Sequence, residues 1–147
     1  MIKRPTAEGL VAALCCVVCL SCGDAGSENS LVFGSARDCP DPPAPPSCEL
    51  VGPGDTFPTG TVWFHLQSSA EFGDRFVRID ACRAGGDCER TDFDFGFVPS
   101  HPPEVYGTIL VLTLNRAGSY VVNASLVGRT TGLETFLVSA PLEITSR

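Results

Sequence analysis

Few side chains in this 147-residue chain could do chemistry: eight cysteines, two histidines, one tryptophan and a group of aspartates near position 90. A histidine becomes a general base only beside a nucleophile and an orienting group. His65 lies in the run TVWFHLQ at 61–67, on the strand face opposite Val62, Phe64 and Leu66, which predicts a solvent-facing ring beside Trp63 and Gln67. His101 sits in Ser-His-Pro-Pro, a loop composition that gives it no partner. The motifs G-x-S-x-G, H-E-x-x-H and the P-loop do not occur. A non-enzymatic protein without a cofactor is the expectation.

Two weaker binding chemistries remain. Trp63 and Tyr106 could stack on sugars, and Trp63 shares its face with Thr61, His65 and Gln67, a polar surround suited to carbohydrate. The plainer alternative is that Trp63 is covered by another part of the protein. Asp92 and Asp94, with Asp80 and Asp87 nearby, could offer oxygens to calcium. Calcium takes six to eight oxygens, and two side chains on one strand face make no cage. A solvated acidic edge is therefore expected and no metal site is predicted. A third candidate is protease inhibition by an exposed CRAGGDC hairpin at 82–88 with Arg83 at its tip.

The cysteines divide into two groups. Cys15, Cys16, Cys19 and Cys22 are spaced superficially like cluster ligands, but they sit in an apolar, helix-compatible stretch without polar flanks. Lys3 and Arg4 precede the uncharged run 9–20 (GLVAALCCVVCL), and small residues follow. That is the layout of a secretory signal peptide over 1–21. Cys19-Leu20-Ser21-Cys22 resembles the lipobox of bacterial lipoproteins. The resemblance implies diacylglyceryl attachment to the thiol of Cys22, cleavage before it, and a partner in the membrane through that anchor. Each buried CH2 contributes about 0.8 kcal/mol to such anchoring. With Gly23 rather than Asp after the cysteine, the lipoprotein resemblance implies the outer membrane or cell surface as location within the bacterial cell envelope. An ordinary signal cut near Ala25 or Gly26 would instead give a secreted protein. A retained transmembrane helix is disfavoured, because the apolar run is shorter than the ~20 residues a crossing needs.

Cys39, Cys48, Cys82 and Cys88 form the second group. An even number in an exported chain points to two disulfides. Local pairing, Cys39–Cys48 and Cys82–Cys88, is favoured; the alternative ties the leader cysteines to those of the sheet. Zinc ligation does not suit spacings of eight and five intervening residues.

Net charge is −7, from 10 basic and 17 acidic residues. An acidic chain argues against nucleic acid, whose phosphates require cationic neutralisation, and against polybasic docking on anionic lipid. An unidentified protein or glycan at the envelope is the expected further partner.

The elements follow from period-two alternation. Residues 61–67, 76–82, 90–98, 109–114, 120–126 and 136–144 read as strands separated by Gly/Pro turns. The run 109–114 is apolar throughout, as in a strand covered on both faces. Phe136, Val138, Ala140, Leu142 and Ile144 fall on one face of the last strand. No segment sustains helical periodicity. Pro40, Pro42, Pro43, Pro45 and Pro46 mark 22–47 as a disordered, Pro-rich lipidated tether, with Leu31-Val32-Phe33 an apolar island able to dock on the domain at 48–147. The expected class is all-β, an antiparallel β-sandwich. The stretch 112–122, LTLNRAGSYVV, resembles the corner before a late strand in immunoglobulin-like and polycystic-kidney-disease-like domains. That resemblance implies an immunoglobulin-like sandwich in which the Tyr120 hydroxyl bonds back across the turn.

Overall fold

Strands form where β-branched and aromatic residues alternate with polar ones, because alternation places one set on a common face. A computed structural model describes residues 29–39, 48–94 and 106–147. Among them are nine strands: β1 Asn29–Asp38, β2 Glu49–Gly54, β3 Thr56–Pro58, β4 Gly60–Ser68, β5 Arg75–Arg83, β6 Cys88–Phe93, β7 Tyr106–Leu114, β8 Gly118–Gly128 and β9 Glu134–Thr145. They make two sheets, β2-β1-β4-β7 and β3-β9-β8-β5-β6. The signal segment, Cys22, residues 40–47, Phe95, Phe97 and His101 lie outside the described residues.

The two sheets close on one core. Val62, Phe64 and Leu66 of β4 face Val77, Ile79 and Ala81 of β5 and Val122, Ala124 and Leu126 of β8, all buried. Burying one such side chain contributes about 1.5–3 kcal/mol. Phe64 and Phe93 meet edge to face with centroids 5.8 Å apart. Ser68 ends β4 by accepting the Ala70 N–H on its hydroxyl at 2.9 Å, which satisfies a buried polar group.

Three expectations change. First, the domain does not begin at 48. Residues 29–38 are not tether but β1, an interior strand of the first sheet between β2 and β4. Leu31 and Phe33 do not dock on the core from outside; they are part of it. Second, the sandwich is not purely antiparallel, since β3 runs parallel to β9. Hydrogen bonds Glu143 N→Asp55 O (2.7 Å) and Thr59 N→Thr145 O (2.8 Å) hold it there, with Phe57 buried between. Third, the last strand changes phase. The register shifts between Ala124 and Ser125, which pair with Val138 and Phe136 and leave Leu137 as an extra residue. A bulge of this kind inverts the side-chain alternation beyond it. Leu137 is therefore buried and Phe136 is 61 % exposed. The run 109–114 is also covered less than expected: Ile109 and Val111 are half-buried and Thr113 is exposed.

Both local disulfides form, Cys39–Cys48 and Cys82–Cys88. Each closes a hairpin: the first joins β1 to β2 just beyond the Asp38–Glu49 pair, and the second links register partners of β5 and β6.

Candidate functional site: the outer face of the first sheet

Residues of β4 that do not enter the core must face outward, and these are Thr61, Trp63, His65 and Gln67. Register extends them into rows. Val32 of β1 and Ile109 of β7 flank His65; Gly34 and Val111 flank Trp63; Ser30 and Gly107 flank Gln67. The result is a half-buried apolar stripe with polar ends, where the Ser30 hydroxyl donates to Gln67 Oε1 at 3.2 Å.

Trp63 is covered on one ring face by Arg37, whose guanidinium carbon lies 4.7 Å from the ring centroid. A cation at that distance is attracted by the ring quadrupole. Trp63 lies on the outward face of β4, away from the second sheet, and the arginine over it comes from β1. Sequence reasoning missed Arg37 because its residues read as tether.

His65 lies over Gly107, where an added Cβ would come within 3.0 Å of its Nε2. Burial between Val32 and Ile109 lowers the imidazole pKa below 6.5, since desolvation disfavours the charged form. His65 is more enclosed than the solvent-facing ring the sequence implied.

The proposed calcium residues sit elsewhere, on the outer face of the second sheet, and are engaged by arginines. Asp92 stands opposite Arg78 and accepts two of its N–H bonds, at 2.8 and 3.0 Å. Arg78 also reaches Glu134 at 3.3 Å. Asp80 and Arg90 form a second bidentate pair at 2.7 and 3.0 Å. Arg129 holds Asp94 and lies 3.3 Å from Asp74. The hydrogen bonds from Arg78, helped by its charge, keep the Asp92 pKa below the ordinary carboxylate value. Among the described residues, no group of three His, Cys, Asp or Glu is placed to hold a metal ion. The expected acidic edge is in fact a ladder of ion pairs.

Arg83, expected at a hairpin tip, folds back. Its guanidinium lies against Gly86 and its stem against Gly118, each 3.1–3.2 Å from where a Cβ would stand. The turn itself is closed by Gly86 N→Arg83 O at 3.0 Å, with Gly85 at φ +67°. A shallow cleft on the second sheet is lined by Asp55, Ser119, Tyr120, Leu142 and Glu143 among others. Its serine hydroxyl donates to Glu143 at 2.5 Å.

No protein-family model matches the chain, and no curated protein matches it. Among solved structures it is similar to the PmoD soluble domain from Methylocystis sp., at 9 % identity and a TM-score of 0.43, over 82 % of this chain and 94 % of that one. No described helix is long and apolar enough to cross a membrane.

Proposed function

We propose that the chain is a lipid-anchored protein of the bacterial cell envelope whose β-sandwich is a non-enzymatic binding or structural module. The anchor reading rests on the signal layout and on Cys22. The module reading rests on one observation: the register of β1, β4 and β7 sets Trp63 and His65 beside Val32, Ile109 and Val111 in adjoining rows on one sheet face. The ionisable groups of the opposite face are engaged with one another. An immunoglobulin-like arrangement is supported by the short β3 running parallel to β9, and by the tyrosine that opens β8.

Glycan binding at Trp63 and His65 is the second reading. Half-burial leaves Trp63 an accessible face, and Gln67 supplies amide groups nearby. Asp92 and Asp94 lie on the other sheet and would join it only by releasing Arg78 and Arg129. Trp63 is the single tryptophan, so its emission reports on this face alone. Titration with peptidoglycan and envelope polysaccharide fragments gives a saturable emission shift if the face binds glycan. An unchanged spectrum removes the glycan reading and leaves a protein-binding or structural module.

A further inference from the structure

An edge strand presents unpaired N–H and C=O groups to any other chain, and proteins blunt such edges with short length, proline or charge. Among the described residues the two sheets have four edges: β2 and β7 in the first, β3 and β6 in the second. β2 reads ELVGPG, where Pro53 lacks a donor and Gly52 turns to φ +59°. β3 has three residues and includes Pro58. β6 carries Glu89, Arg90 and Asp92. β7 has none of these devices. It is nine residues long, YGTILVLTL, without charge or proline, and among the described residues only β4 pairs with it.

We propose that β7 is the seam of a homodimer, in which two copies pair β7 to β7, antiparallel about a two-fold axis, and merge their first sheets into one of eight strands. Antiparallel pairing is self-complementary under a two-fold, so one surface serves both copies. The whole chain carries −7, and the uncharged β7 is the edge at which two copies meet with least repulsion. A charged partner segment would find no counter-charge along it. Centring the pairing on Leu110 sets Ile109 of one copy opposite Val111 of the other, two β-branched residues of the kind that pair well across strands. The row Val32–His65–Ile109 then continues across the seam.

Sedimentation velocity of the full chain, as wild type in detergent and as Cys22→Ser, tests this across micromolar concentrations. A dimer in both forms is expected. Val111→Lys and, separately, the exposed Thr113→Lys should weaken association about tenfold or more, with strand circular dichroism unchanged. β7 amide protection from hydrogen exchange should rise with protein concentration. A monomer throughout overturns the proposal, as does a dimer indifferent to both lysines. A monomer with β7 amides protected at every concentration also overturns it, and shows that another segment of the same chain covers the edge.

Discussion

The hydroxyl of Tyr120 donates a 2.8 Å hydrogen bond to the carbonyl oxygen of Arg116, four residues back across the turn that opens β8. The ring itself is buried in the core, so the bond ties the β7–β8 turn to the packed interior. Tyr120→Phe keeps the ring and removes only the bond. It should cost about 0.5–1.5 kcal/mol in urea unfolding, with the m-value unchanged. A larger m-value change would mean that the turn has a wider role.

The hairpin bridges act on short loops. Removing Cys82–Cys88 by a double serine substitution should lower stability by about 2–3 kcal/mol in the chain-entropy account. Non-reducing peptide mapping should recover the pairs 39–48 and 82–88 and no crossed species.

The bulge in β9 reverses the cost of neighbouring substitutions. Leu137→Ala should destabilise by about 2 kcal/mol or more, because Leu137 is buried. Phe136→Ser should stay within about 0.5 kcal/mol, as expected for an exposed site. Thermal unfolding of the two variants side by side decides the phase of the strand.

That phase was not legible in the sequence. Alternation from Phe136 to Ile144 is unbroken as written, and only pairing with β8 shows that Leu137 is the extra residue. β1 was hidden for a similar reason: Leu31 and Phe33 alternate over too short a stretch, and β2 has the Gly-Pro-Gly composition of a turn. Long-range pairing makes both into strands. β4 and β5 were fully legible, because three consecutive inward residues in each are strong apolar groups. The ion-pair ladder was readable once the bridge was accepted. Pairing Cys82 with Cys88 fixes the register that sets Arg78 opposite Asp92 and Asp80 opposite Arg90. At the outer face, Trp63, His65 and Gln67 were legible as neighbours, whereas Arg37 was not.

Two titrations follow from the geometry. The folded pKa of Asp92 is depressed, so its pairing stabilises the protein above the ordinary carboxylate value near 3.8. That contribution is lost as pH falls through the lower folded value. Arg78→Gln should reduce stability at neutral pH and flatten the acid limb. His65 is depressed by burial, so the unfolded chain binds its proton first. Stability should decline as pH drops below 6.5 and level off below the folded pKa. His65→Gln should remove that slope, and NMR should show the folded ring titrating below 6.5.

The proposed membrane location depends on lipid attachment at Cys22. Intact mass and detergent partitioning of the protein from a bacterial host, beside Cys22→Ser, test it directly. The account predicts a wild type that begins at an acylated Cys22 and enters the detergent phase, and a variant that lacks the acyl mass and does not. A wild type that is unmodified at Cys22 and stays in the aqueous phase would contradict it.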